Sequence, residues 1–269
     1  MSKEFSLVVC GAPRVGKSTL VNALCGRQVA DTSSSLNPHT NKTSKYLLKR
    51  NDISSNSIEC TIAIHDTPGI ESWTEKDLRT YFTNLMKESQ PLCMIYCASP
   101  GSFARLDQLQ WLVDTCIQSN IFCAFVCTNK YSGTLEQRKI VLNDFHSLLT
   151  RYHSLTRNED NIKYYGDVAL CTAVNSIVYE DRDLAVRKEV EGINELIFGI
   201  LRSLKDDEKA VGWCYTIADN DSFWSMMQEK LIEFFHLAKP VVTRFFEDHG
   251  KEISAALLTL VLAAIRRRV

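Results

Sequence analysis

Gly11-Ala12-Pro13-Arg14-Val15-Gly16-Lys17-Ser18 is the stretch on which the reading of the whole chain turns. It fits G-x-x-x-x-G-K-S. An apolar run, Phe5 to Cys10, precedes it, and Thr19 to Cys25 continues it in a helical pattern. A strand, a glycine loop and a helix in that order make a cradle for phosphate. The glycines let the backbone of Ala12, Pro13, Arg14 and Val15 wrap close to an anion, while successive N–H groups and the helix N-terminus, through Thr19, point at it. Lys17 then sets a cation on the β and γ oxygens of a nucleotide, and the Ser18 hydroxyl joins a Mg2+ shell.

Further along, Ile62-Ala63-Ile64-His65-Asp66-Thr67-Pro68-Gly69 supplies a second half. Its apolar run ends in Asp66, a side chain that can hold Mg2+ directly or through water, and Gly69 can offer its N–H to a γ-phosphate with no side chain in the way. D-x-x-G alone is a weak signal; at a strand end and after a phosphate loop it is a strong one. His65 reads as a strand residue and Glu71 as a solvated loop residue.

Around these motifs, short apolar runs alternate with helical patterns, which predicts βα units and a mostly parallel sheet. Strands are expected at Phe5–Cys10, Tyr46–Lys49, Ile58–Ile64, Leu92–Ala98, Ile121–Cys127 and Val168–Thr172, and helices near 75–89, 105–119, 134–151 and 183–205. Ala30 to Thr43, with three consecutive serines and Pro38, reads as a loop. After Lys205-Asp206-Asp207-Glu208-Lys209 the strand patterns stop, and from 222 onward the pattern is helical apart from breaks at Pro240 and Gly250. This divides the chain into an α/β domain, 1–205, and a helical C-terminal extension, 206–269.

Composition agrees. Of 269 residues 45% are hydrophobic and 23% charged, which excludes global disorder, and 11 Gly with 6 Pro disfavour a turn-dense all-β chain. With 31 basic and 32 acidic residues the net charge is −1, so no global field draws the protein to nucleic acid, and none is indicated as a partner. Ten cysteines, most in apolar runs (Cys10, Cys93, Cys97, Cys123 and Cys127 among them), show no CxxC and no zinc spacing. Met1 opens into Ser2-Lys3-Glu4-Phe5 without an apolar leader, so buried reduced thiols in a cytoplasmic protein are the expectation.

The two motifs together resemble the nucleotide-binding core of the translation-factor-related class of P-loop GTPases. Ser18-Thr19-Leu20-Val21-Asn22-Ala23-Leu24 and Asp66-Thr67-Pro68-Gly69 are similar to the Era and septin-like branch, and the immunity-associated GIMAP GTPases are another plausible relative. The resemblance covers about residues 5–200. It implies a P-loop NTPase G domain, α/β, with a mostly parallel sheet covered by helices on both faces. It also implies GTP and GDP as ligands, Mg2+ as cofactor and hydrolysis of the γ-phosphate, with the loops at 30–45 and 66–76 changing order between states.

The family's other landmarks are sought residue by residue. The switch threonine that completes the Mg2+ shell is Thr43, close to the next strand, with Thr40 in reserve; either could instead be an ordinary solvated loop residue. The guanine-reading motif corresponds to Thr128-Asn129-Lys130-Tyr131-Ser132. Asn129 would brace the loop and reach the base, and the Lys130 stem would lie over the purine. The family's aspartate is replaced by Ser132, a weaker acceptor, which loosens the chemical basis for guanine specificity. Thr172-Ala173-Val174 matches the loop whose backbone meets the base carbonyl.

Ile70 stands where many small GTPases carry a water-orienting glutamine, which implies slow hydrolysis, or a GTP-binding scaffold that hydrolyses negligibly. A kinase acting on a small molecule is a weaker third reading, because D-T-P-G and N-K have no purpose there. Arg14 occupies the third variable position of the loop. Potassium-activated Era-like GTPases carry an asparagine there; guanylate-binding GTPases carry an arginine that acts in cis when two GTPase domains pair. The resemblance therefore implies a catalytic Arg14 and a homodimer through the G domain, against the plainer reading of a solvated arginine.

Two apolar stretches close the chain. Phe223, Trp224, Met227, Leu231, Phe234, Phe235 and Leu237 have roughly helical spacing and read as core. Ile253 to Ile265 is almost wholly apolar and is followed by Arg266-Arg267-Arg268. As helix it would span roughly 20 Å, short of the roughly 30 Å hydrocarbon core of a bilayer. Core packing, docking to a partner or second copy, and a peripheral membrane contact with arginines at the headgroups all remain open for it.

Overall fold

The computed structural model describes residues 3–31, 44–50, 60–67, 74–88, 91–102 and 106–237. In chain order the elements are β1 (Lys3–Gly11), α1 (Lys17–Cys25), β2 (Ser44–Arg50), β3 (Cys60–Asp66), α2 (Glu75–Glu88), β4 (Pro91–Ala98), α3 (Leu106–Gln118), β5 (Phe122–Cys127), α4 (Leu135–Leu149), β6 (Arg157–Glu159), β7 (Ile162–Tyr165), β8 (Ala169–Ala173), β9 (Tyr179–Asp181), β10 (Val186–Lys188), α5 (Ile193–Leu201), α6 (Asp207–Thr216), α7 (Asp221–Met226) and α8 (Gln228–Leu237).

Eight strands form one sheet in the order β2-β3-β1-β4-β5-β8-β7-β6. The five central strands, β3 to β8 in that order, are parallel, and β2, β7 and β6 are antiparallel additions at the margins. The chain leaves β1 toward β3 on one side and toward β4 on the other. That reversal opens a crevice at the carboxyl end of β1, the place where open α/β sheets take ligands.

Alternation along β1 sends Leu7 and Val9 to one face and Val8 and Cys10 to the other. On the first face they pack with Leu20 and Leu24 of α1, Ile197 of α5, Trp213 of α6 and Phe223 of α7. On the second they pack with Phe82 of α2, Leu112 of α3 and Phe145 of α4. Every residue of β4 and β5 is buried, as strands covered on both faces require. The nine cysteines whose side chains are described are buried thiols distributed through these layers, as their apolar settings implied.

Two hairpins depart from the sequence expectation. The segment 183–205 was expected to be helical throughout, but residues 179–188 form the β9–β10 hairpin, Ala185 turns at φ 50, and α5 begins only at Ile193. The β6–β7 hairpin was not anticipated. Asp160 and Asn161 sit at φ 53 and φ 61 between its arms, the two-residue turn whose twist matches paired strands.

The helices after 206 share the first core. Trp213 is fully buried and donates its indole N–H to Ile197 O at 3.1 Å. Phe223, Met227 and Leu231 of the predicted stripe are buried, and Trp224 and Phe234 pack partly against the core. Asn220 clamps this region to α1: its side-chain oxygen accepts from Phe223 N, and its amide donates to Ala23 O at 2.9 Å and Leu24 O at 3.0 Å. Arg27 and Asp219 add an ion pair at 2.7 Å. The side chains of Phe235 and Leu237 and the run Ile253–Arg268 lie outside the described residues. No helix among the described residues is long and apolar enough to cross a membrane.

Candidate functional site

The phosphate loop leaves β1 where the sheet is tightest. A Cβ on Gly11, at φ 141, would stand 2.0 Å from the Cys97 carbonyl oxygen on β4, so only glycine lets the two backbones approach. Arg14 turns at φ 63 and is exposed at the loop tip. Gly16, at φ 86, is the N-cap of α1 and brings no side chain to cap it. The first N–H groups of α1 therefore have no side-chain cap, the condition for receiving an anion.

Lys17 is 8% exposed. Its ammonium lies against the loop's own backbone, 2.8 Å from Ala12 O and 3.2 Å from Gly11 O. Beside it, the Ser18 hydroxyl donates to Asp66 Oδ2 at 2.6 Å. The β1–β3 register sets Asp66 opposite Val9, and Thr67 N–H continues the pairing to Val9 O at 3.0 Å. Asp66 is completely buried, and its Oδ1 has no hydrogen-bond partner. Burial pushes its carboxyl above the ordinary range, against the pull of the Ser18 hydrogen bond and the Lys17 charge. A hydroxyl and an orphaned carboxylate oxygen, side by side at the foot of a phosphate cradle, fit a Mg2+ ion, which takes one or two protein oxygens and leaves the rest of its shell to phosphates and water. His65 sits within β3 opposite Lys45, as a strand residue. Thr40, Thr43, Gly69, Ile70 and Glu71 lie outside the described residues.

At the other end of the crevice the 128–132 loop follows β5. Thr128 holds it to the phosphate loop: its hydroxyl, buried, hydrogen-bonds Val15 O and stands 3.0 Å from Ala98 O, and its N–H reaches Ala98 O at 2.8 Å. Sequence reasoning gave Thr128 no role, because the bond spans the fold from β5 to the phosphate loop. Asn129, at φ 49, packs its amide oxygen 3.2 Å from where a Gly16 Cβ would be. Lys130 N–H donates to Val174 O at 3.1 Å, and Val174 N–H donates to Cys127 O at 2.9 Å, so the Asn129-Lys130 and Thr172-Ala173-Val174 segments are stitched together. Thr172 turns its hydroxyl to Asn161 O at 3.0 Å, and Ala173 ends β8. Ser132 is exposed, with its N–H on Asn129 O at 2.7 Å. A carboxylate that sequence reasoning missed, Glu191, pairs with Lys130 Nζ at 2.7 Å and accepts the Tyr131 hydroxyl.

The family of 50S ribosome-binding GTPases has a model that matches residues 6–130. Among solved structures the chain is similar to Era of Aquifex aeolicus bound to GDP·AlF4−, at 18% identity over 76% of this chain and 58% of that one, with a TM-score of 0.46. It is similar to Toc33 of Arabidopsis thaliana at 19% identity over 80% of this chain and 85% of that one, TM-score 0.44. A structure of the chloroplast translocon components atToc33 and psToc159 is 20% identical over 77% and 85%, TM-score 0.48. The chain thus spans 58% of the length of the Era chain. No curated protein sequence matches it. The family match runs from β1 through Lys130, and the sheet order opens its crevice beside the phosphate loop: the fold is that of a P-loop NTPase G domain, and residues 6–130 are similar to a GTPase family.

Proposed function

We propose that the protein binds GTP with Mg2+ in this crevice and hydrolyses the γ-phosphate, cycling between GTP and GDP states as a molecular switch or a nucleotide-dependent assembly module. The observation that carries the reading is the Ser18–Asp66 pair, with one carboxylate oxygen orphaned, beside a lysine parked on the phosphate loop. Residues 1–205 supply the nucleotide site in this reading, and 206–269 the extension.

Hydrolysis of a phosphoanhydride demands positioning and charge neutralisation more than covalent chemistry. The α1 N–H groups and the backbone from Gly11 to Thr19 hold the β-phosphate, and Lys17 exchanges the Ala12 carbonyl for β and γ oxygens. Ser18 and Asp66, with Thr43 (or Thr40 in its stead), would hold Mg2+, which when bound would neutralise charge on those oxygens. Gly69 would offer its N–H to the γ-phosphate. A water oxygen bonds to the γ-phosphorus as the bond to the β–γ bridging oxygen breaks; GDP and inorganic phosphate leave, and the water's proton passes to solvent. Arg14 is the catalytic cation, brought inward when two G domains pair, in place of the glutamine that Ile70 is not. Asn129, Lys130, Ser132, Thr172 and Ala173 surround the base. For Ile253–Arg268 the alternatives remain core packing, docking to a partner or second copy, and a peripheral membrane contact.

Equilibrium binding of GTP, GDP and ATP with Mg2+, alongside phosphate release, tests this reading. GTP binding that is lost in Lys17→Ala supports it; equal GTP affinity in Lys17→Ala overturns the site. Ile70 favours a second reading, a GTP-binding scaffold with negligible turnover, which single-turnover hydrolysis at several protein concentrations separates from the first.

A further inference from the structure

The 128–132 loop offers no acid to a purine. Ser132 is exposed, and its position contributes a hydroxyl where a carboxylate would accept two bonds from guanine. The structure brings one in from the other side. Glu191 lies 2.7 Å from Lys130 Nζ through one oxygen and accepts the Tyr131 hydroxyl with the other. Each oxygen keeps lone-pair capacity, since a carboxylate has about four acceptor sites.

Its place is fixed by backbone. Glu191 and Asn175 exchange both N–H···O bonds, at 2.8 and 3.0 Å, and the Asn175 amide donates to Glu189 O at 2.8 Å. Gly192, at φ 82, lets this segment descend onto the end of β8: a Cβ there would stand 3.0 Å from Ala173 O. Val174, the neighbour of Asn175, accepts the Lys130 N–H, and Asn129 packs on Gly16. Phosphate loop, Asn129-Lys130 loop, β8 terminus and Glu191 are thus one stitched rim. Tyr131, whose hydroxyl meets the carboxylate, has the cations of Lys130, Arg138 and Lys188 at 5.2, 5.8 and 5.7 Å from its ring centroid.

Resting on the GTP-site reading above, we propose that Glu191 is the specificity-determining acid, accepting hydrogen bonds from guanine N1–H and the 2-amino group while Lys130 lies along the purine. The bonds from Lys130 and Tyr131 keep its carboxyl below the ordinary glutamate range, so it is charged at neutral pH. Adenine presents a lone pair at N1 and no 2-amino group, so it meets the carboxylate with repulsion and makes neither of the two bonds.

The test uses the full chain and four probes: GTP, ITP (no 2-amino group), XTP (a carbonyl in its place) and ATP, each with Mg2+. The wild-type protein is expected to bind ITP at least about tenfold more weakly than GTP, because a site built to accept an N–H rejects the analogue lacking it. Glu191→Gln is expected to lose at least about tenfold in GTP affinity and to gain XTP, whose carbonyl the new amide can meet, so that the GTP/XTP ratio falls by about a hundredfold or more. Equal wild-type affinities for ITP and GTP overturn the proposal without any variant. So does a Glu191→Gln variant that weakens all four nucleotides alike, the mark of a merely structural Lys130 partner, or one that leaves the GTP/XTP ratio unchanged. Failure of the wild-type chain to bind any of the four overturns the nucleotide-site reading instead, and the two failures are distinguishable.

Discussion

The Ser18 hydroxyl, in the first turn of α1, donates to the carboxylate of Asp66, the last residue of β3, at 2.6 Å. The two halves of the nucleotide motif therefore meet directly, across a chain separation that sequence alone leaves open. That contact, with Asp66 Oδ1 left orphaned, yields the first prediction. Ser18→Ala and Asp66→Asn should each abolish the Mg2+ dependence of nucleotide release: chelation with EDTA should accelerate GDP dissociation from the wild type and leave both variants unaltered. Because burial disfavours the Asp66 charge, the neutral amide should leave the melting temperature of the nucleotide-free protein equal or higher. A marked drop in that temperature would show that the carboxylate is stabilising and the account of its burial wrong.

Thr128→Val keeps shape and removes the hydroxyl that reaches Val15 O and Ala98 O. A buried carbonyl stripped of its donor costs on the order of 1–3 kcal/mol. Urea unfolding should register that loss, and GTP affinity should fall with it, since the bond joins the phosphate loop to the base loop. An unchanged midpoint in urea would make the hydroxyl a bystander.

Asn220→Ala should act at a distance from the crevice. It removes the α7 cap, takes the side-chain donor from Leu24 O at the C-terminal end of α1 and leaves Ala23 O with the Gly26 N–H at 3.4 Å, a loss of roughly 1–3 kcal/mol. Thermal melting should fall by several degrees, and because α1 begins at the phosphate loop, bound GTP should restore part of the loss. A variant that melts with the wild type removes Asn220 as a link between the later helices and α1.

Arg14 carries the catalytic prediction. Arg14→Ala should lower turnover at least about tenfold with little change in GTP affinity, as loss of an arginine acting on transition-state charge would. Specific activity of the wild type should also rise with protein concentration. Wild-type turnover in Arg14→Ala at every concentration would leave the residue at the loop tip without a catalytic part.

Much of this was legible in the sequence, and for a physical reason. The phosphate loop couples glycines to a strand and a helix within a few residues, so local rules suffice, and the buried central strands announce themselves as unbroken apolar runs. The β6–β7 hairpin escaped because its arms are three and four residues long and Arg157–Glu159 is polar, although Asp160-Asn161 was a usable turn signal. Residues 183–188 mimic helical spacing while forming the turn and second arm of the 179–188 hairpin. Glu191 had no local signal at all. It reaches the base loop only because Asn175 pairs with it across the fold, and nothing near Ser132 in the chain says where the missing acid is.

The buried thiols give the protein an internal clock. Cys10 adjoins Gly11, and Cys97 faces it across the β1–β4 pairing, directly beneath the phosphate loop. Burial pushes the Cys97 thiol up to about 12 and raises that of Cys10 as well, so neither is a nucleophile while the fold is closed. A thiol reagent can mark them only at the rate at which the loop and its strands part, while Cys214, in α6, reports on the far end of α1's layer. Labelling followed over time, with and without GTP, therefore times the breathing of the nucleotide site against that of the helical layer in the unmodified chain.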